Sequence, residues 1–230
     1  TGAEMIWIPG IRLCEGIVAE YAAERKFIKF KHNFNNDIIS TSRNMAKRYN
    51  CLTAHSGMVE EFVLQMFDAM KRYHGLGARE RLLLQIAVIL HDCGKFVSVR
   101  NANECAYRLI MATEIIGLSH REREIVANVV RYNHQPFAYY EWHDAPTGMD
   151  SSAYLTIAKL TAILRVANGL DRSHKQKFKD FKTTLKDNQL VITVNTTEDI
   201  TLEKGLFAAK AAFFEEVFSV RPVIKQKKFI

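Results

Sequence analysis

The residues of this 230-residue chain best suited to chemistry are the adjacent pair His91 and Asp92, followed by Cys93-Gly94-Lys95. An imidazole nitrogen beside a carboxylate oxygen is a donor pair suited to divalent transition metals. The pair closes a very apolar segment, and a carboxylate on such a segment needs a partner or a metal to offset its desolvation. By itself the dipeptide fits a hydrogen-bonded pair at a helix end better than a metal site. His55, at the start of the preceding helical segment, is a second imidazole, and Asn168, in Leu164-Arg165-Val166-Ala167-Asn168-Gly169-Leu170, is a further polar position.

The elements that must position these residues are mostly helical. The 3.6-residue period predicts helices over 37–50, 55–73, 79–93, 103–116, 119–132 and 151–170, with a shorter one over 17–25. The 55–73 segment places Val59, Phe62, Val63, Met66, Phe67 and Met70 on one face, and the short 74–78 turn sets it antiparallel to the 79–93 segment. That second segment is apolar over so wide an arc that it reads as the central helix. Ser119 with Glu122 reads as a capping box, and Asp150 or Ser151 as the cap of the last long helix. The loop 133–150 holds Pro136, Pro146 and Gly148. After 171 the pattern alternates over 179–185 and 190–195 around Asp187-Asn188, a hairpin signal. A helix over 201–218 and a strand over 223–227 follow. The expected fold is mainly α, an HD-domain-like helical bundle followed by a small C-terminal α+β domain. The boundaries are 1–35 for a junction segment, 36–172 for the helical domain and 173–230 for the α+β domain.

Composition narrows the function. Half the chain, 48%, is hydrophobic and 25% is charged, as for an ordered globular protein. Of the four cysteines none forms a C-x-x-C pair, which disfavours a zinc knuckle or a disulfide framework and fits a reducing, cytoplasmic setting. No apolar run reaches the roughly 18 residues of a membrane span, and no signal peptide is visible. The formal net charge is +7, which favours anionic partners. Residues 172–188 carry six basic residues (Arg172, Lys175, Lys177, Lys179, Lys182, Lys186) against Asp180 and Asp187. Such a stretch suits a polyanion track or a plain solvated face. Aromatic interleaving is sparse, which argues against nucleic acid.

A resemblance makes the reading specific. A His, a His-Asp pair and a distal polar residue on converging helices is the layout of the HD phosphohydrolases. The strings ARERLLLQIAVILHDCGK (78–95), GLSHREREI (117–125) and LRVANGLDRSH (164–174) resemble the exopolyphosphatase and guanosine pentaphosphate phosphatase family. So do Ile11-Arg12-Leu13-Cys14-Glu15-Gly16, Leu202-Glu203 and the stretch Phe213 to Phe218. The resemblance implies that the chain is the C-terminal, HD-type part of such a hydrolase. It also implies that hydrolysis belongs to an actin-like N-terminal half beginning and ending before this chain, and no catalytic residue is expected here. The implied role is accessory: binding or channelling polyphosphate or guanosine pentaphosphate, and aiding homodimerisation, without a membrane. A divalent metal, Mg or Mn, would be held mainly by the missing half. The alternative is a stand-alone metal-dependent HD phosphohydrolase acting on a nucleotide or other phosphoester through His55, His91, Asp92 and Asn168. Metal-dependent relatives carry Asp where this chain has Asn168, and a neutral amide is the poorer ligand. Extra histidines of some relatives correspond to Asn101, Asn103 and Cys105 here. The residues expected to bind phosphate are Lys95, Arg100, Arg131, His134, Arg165, Arg172, Lys175 and Lys177.

Overall fold

The computed structural model describes residues 10, 12–29, 32–51, 53–139, 150–171, 175, 177–178 and 180–227. Arg172, Lys179, Pro146 and Gly148 lie outside the described residues. The chain divides into two units, Thr1–Phe34 and Asn35–Ile230. The first contains α1 (Leu13–Glu24), whose N-terminus is closed by the Glu15 carboxylate accepting from the Arg12 amide at 2.7 Å.

In the second unit, helices α2 (Phe34–Arg48), α3 (Thr53–Ala69), α4 (Lys71–His74) and α5 (Ala78–Leu90) are followed by a 3₁₀ turn over Cys93–Phe96. Then come α6 (Ala102–Ala112), α7 (His120–Tyr132) and α8 (Ser151–Leu170). Strands β1 (Phe181–Lys186) and β2 (Gln189–Asn195), helix α9 (Thr201–Phe218) and strand β3 (Arg221–Lys227) complete it. The architecture is mainly α with a small C-terminal α+β part, as the periodicity predicts.

Helix α5 is central because its apolar residues leave no solvent face: Leu82, Leu83, Leu84, Ile86, Ala87, Val88, Ile89 and Leu90 are all buried. It packs between α3 and α7, with α8 across them. Two predicted helices end early. The 79–93 segment stops at Leu90, because Gly94 lies directly against the α6 backbone and a Cβ there would run into the Ala102 carbonyl oxygen. The approach leaves His91 and Asp92 in a tight turn rather than on the helix. The 103–116 segment stops at Ala112, where Thr113 turns extended and gives its carbonyl to Arg123 at 3.1 Å.

Strand order is β1-β2-β3, with β1 antiparallel and β3 parallel to β2. Asp187 and Asn188 both adopt positive φ, 49° and 59°, as the hairpin turn requires. One sheet face joins the helical core: the Phe181 ring lies 3.9 Å from that of Phe62 on α3, centroid to centroid. Helix α9 lies on α8 closely enough that a Cβ added at Gly169 would meet the Lys210 stem at 3.5 Å. The helical and α+β parts therefore share one core within the second unit.

The expected caps form. Asp150 accepts from the Ala153 amide at 2.8 Å, and Glu122 reaches back to the Ser119 amide at 2.8 Å. Glu122 also takes a two-pronged contact from Arg79, at 2.5 and 3.0 Å, which ties α7 to α5. The Arg79 fork, opposed by partial burial and helped by the Ser119 donors, moves the Glu122 carboxyl from the ordinary 4.5 down to about 2. A depressed acid contributes stability above its unfolded value and loses it as pH falls through the folded one. The urea midpoint should therefore decline as pH falls from about 4.5 to about 2, and Glu122→Gln should flatten part of that decline while costing roughly 0.5 kcal/mol at neutral pH. An unchanged acid profile in the variant would show that this contact contributes nothing.

Candidate functional site

Helices α3 and α8 and the turn after α5 bring the expected residues together. One donor atom each from His55, His91 and Asp92 lies within 4.8 Å of the others. All three side chains are buried, and the two imidazole rings stand 5.3 Å apart.

His55 is bound at both ring nitrogens. Nδ1 lies 2.8 Å from Asp171 Oδ2, and Nε2 lies 3.1 Å from Asn168 Oδ1. Asn168 in turn places Nδ2 3.2 Å from Nε2 of the exposed His134. A hydrogen-bonded file thus runs from the surface at His134 through Asn168 to His55 and Asp171. Two proton arrangements satisfy it. In one, the amide oxygen faces His55, which donates from both nitrogens and pairs as a cation with Asp171. With the amide turned over, neutral His55 donates to Asp171 and accepts from Asn168.

The sequence reading does not single out Asp171. A signal for it exists: an acid one turn after Asn168, at the end of a helix whose last turn is otherwise apolar. Its side chain is 1% exposed, so it must be partnered.

His91 differs. Its Nδ1 donates to the Val88 carbonyl at 2.6 Å, and burial pushes the imidazole below its ordinary value against the pull of Asp92 and that carbonyl. With Nδ1 donating to that carbonyl, Nε2 faces inward, and among the described residues that buried atom has no hydrogen-bond partner. Asp92 Oδ1 is 3.6 Å away. Lys95, one turn on, reaches the other carboxylate oxygen, Oδ2, at 2.8 Å. Burial acts to raise the Asp92 carboxyl, yet the His91 ring and the Lys95 ammonium outweigh it and hold the group below the ordinary carboxylate range. A shallow cavity of about 160 Å³ opens beside Asp92 and Lys95, lined further by Tyr49, Asn50, Cys51 and Phe96. Burial, first of all, pushes the neighbouring Cys51 thiol to about 11, which leaves it a poor nucleophile.

As a metal centre the donor set is incomplete. His91 Nε2 and Asp92 Oδ1 fit an ion. His55 Nε2 is taken by the Asn168 amide, Asp171 is turned to the far nitrogen of His55, and Lys95 already neutralises Asp92.

The predicted phosphate ligands scatter. Arg165 donates to the carbonyls of Tyr132, at 2.7 Å, and of Gln135, and its guanidinium stacks 4.4 Å from the Phe213 ring. Lys177 is committed to the Asp199 carbonyl at 2.7 Å and to the buried Glu203 at 3.0 Å. Arg131 pairs with Glu104 at 3.0 Å and lies over Tyr107. Lys95 and His134 belong to the histidine cluster itself. Arg100 and Lys175 are exposed, with no ion pair among the described residues.

A family model, Ppx/GppA phosphatase, domain III, matches residues 39–210. The chain belongs to the Ppx/GppA phosphatase family. The match spans α3, α5, α8 and the turn carrying His91 and Asp92, so the whole site lies inside domain III. A search of curated proteins found no match. Among the described residues no helix is long and apolar enough to cross a membrane.

Two outcomes follow from this geometry. Asp171→Ala leaves His55 without its buried acceptor and should lower stability by about 2–4 kcal/mol in urea unfolding. Asp171→Asn, which keeps an acceptor, should retain much of it, and equal stability of the Ala variant would contradict the bridge. Asn168→Asp restores a carboxylate facing His55 and should tighten Co²⁺ or Mn²⁺ binding by at least about tenfold in calorimetry. Wild-type binding as tight as the variant's would show that the amide closes nothing.

Proposed function

We propose that this chain is an accessory domain of a Ppx/GppA-type phosphatase. It binds an anionic phosphate chain, polyphosphate, and guides it to a catalytic centre carried elsewhere, on actin-like domains. The observation that carries the reading is the Asn168 amide, 3.1 Å from His55 Nε2, where a metal-dependent hydrolase needs a free nitrogen and an added carboxylate. With Lys95 already on Asp92, the pocket is neutralised from within and gives no activated water. The site therefore braces α3, α5 and α8, while lysines and arginines outside it meet the substrate. Homodimerisation and a cytoplasmic setting belong to the same reading.

A second reading, a metal-dependent phosphohydrolase, is favoured by one observation: the unpartnered Nε2 of buried His91 beside Asp92 Oδ1. In that case His91 and Asp92 would hold the ion, with His55 joining once Asn168 releases it, and the ion would lower the pKa of a bound water.

Phosphate release separates the two. The purified chain, supplied with long-chain polyphosphate and either Mg²⁺ or Mn²⁺, should release no phosphate above background. Steady metal-dependent release that disappears in His91→Ala would overturn the accessory reading in favour of the second.

A further inference from the structure

The strand register places charges that no local motif joins. On one face of the sheet, Phe181, Leu185, Leu190, Ile192 and Val194 enter the core. The other face presents the alternate strand residues. Its cross-strand rows are Lys182–Thr193–Lys225, Thr184–Val191–Val223 and Lys186–Gln189–Arg221, with Lys227 beside Asn195 at one end. Lys182, Lys186, Arg221, Lys225 and Lys227 are all exposed, and none makes an ion pair among the described residues. Val191, in the central row, is 7% exposed yet stands outside the core cluster.

We propose that this face is the landing surface for the phosphate chain, an inference that rests on the accessory reading above. At about 3.3 Å per residue and about 4.8 Å between strands, the two cationic rows frame a surface of roughly 13 by 10 Å. Like charges at that spacing lie within or near a Debye length of about 10 Å. They repel one another, and a polyanion relieves the repulsion while releasing its own counterions. This sets the surface apart from Arg165, Lys177 and Arg131, whose charges already have protein partners.

The occupant is linear polyphosphate rather than single-stranded RNA. Sheets that read single-stranded bases offer aromatic side chains for stacking. The central row here is Thr184, Val191 and Val223, which stacks with nothing and leaves only charge to recognise. A flexible chain of phosphates without bases fits that chemistry.

The test uses the full chain, long-chain polyphosphate and a single-stranded RNA of similar charge, with binding followed by fluorescence anisotropy across a salt series. The sheet variant combines Lys182→Gln, Lys186→Gln and Lys225→Gln, all exposed, and circular dichroism verifies its fold. The comparison variant combines Lys95→Gln, which lines the cavity beside Asp92, with Arg100→Gln at an exposed position off the sheet. We expect the sheet variant to lose at least about tenfold in polyphosphate affinity. Its slope of log K against log salt should be shallower by about two, at roughly 0.7 for each phosphate that the variant no longer neutralises. If polyphosphate binds the sheet variant as tightly as wild type and only the pocket variant loses affinity, the landing surface is overturned and the accessory reading stands. If wild type binds no polyphosphate, the accessory reading itself fails. Equal affinity for RNA, lost equally in the sheet variant, overturns polyphosphate as the occupant.

Discussion

The imidazole of His55 is the constraint on which the rest of this molecule's site depends. It sits near the start of α3 and is bound at both nitrogens by the end of α8 and the residue after it, through Asn168 and Asp171 one turn apart. A ring held at two points cannot rotate, so the N-terminal end of α3 is fixed in register against the C-terminal end of α8. The His91 ring, 5.3 Å away, is placed from the other side by its own backbone, through Val88. Neither histidine is left to find its position by packing alone. This matters because buried polar networks strengthen a fold only when nearly every member is satisfied. Among the described residues of this cluster, His91 Nε2 is the buried atom left without a hydrogen-bond partner.

The electrostatics follow from that arrangement. Two carboxylates, Asp92 and Asp171, are buried within the same cluster, and each is met by a group from the protein itself: Lys95 for the first, His55 for the second. A divalent cation would have to displace Lys95 or the Asn168 amide, and a neutral amide offers it oxygen without charge. Lys95 thus already balances the Asp92 carboxylate, the group in this pocket best placed to attract a metal. One side-chain atom at Asn168 separates the two behaviours.

Much of the frame was legible in the sequence because periodicity reports burial directly. The apolar arc of 79–93 becomes the buried α5, and Asp187-Asn188 becomes the turn between β1 and β2. The cap residues Ser119, Glu122 and Asp150 act as their types predict. The sequence also united His55, His91, Asp92 and Asn168, which lie on different elements, through the resemblance rather than through any spacing. What it could not supply was partnership. Arg165 and Lys177 read as free cations, but one lies against Phe213 and two carbonyls and the other against buried Glu203. Asp171 is not singled out at all, because its partner is 116 positions away. The end of α5 at Leu90 depends on the backbone of α6 meeting Gly94, an approach no local pattern encodes.

Register supplies the remaining step. In sequence, the lysines of β1 and the basic residues of β3 are about forty residues apart, separated by β2 and α9. The parallel pairing of β3 with β2 brings them onto one face, while alternation sends Phe181, Leu190 and Ile224 to the other. The fold thus gives two groups of its basic residues different roles. Those packed between elements are neutralised by carbonyls, carboxylates and rings, and act as struts. The exposed lysines and arginine of the second sheet face have no ion-pair partner among the described residues, which is why they are the residues proposed to meet a ligand. On the accessory reading proposed above, this division is what a polyanion-guiding domain needs. Its rigidity must come from charges it has already matched, and its affinity from charges it has left unmatched.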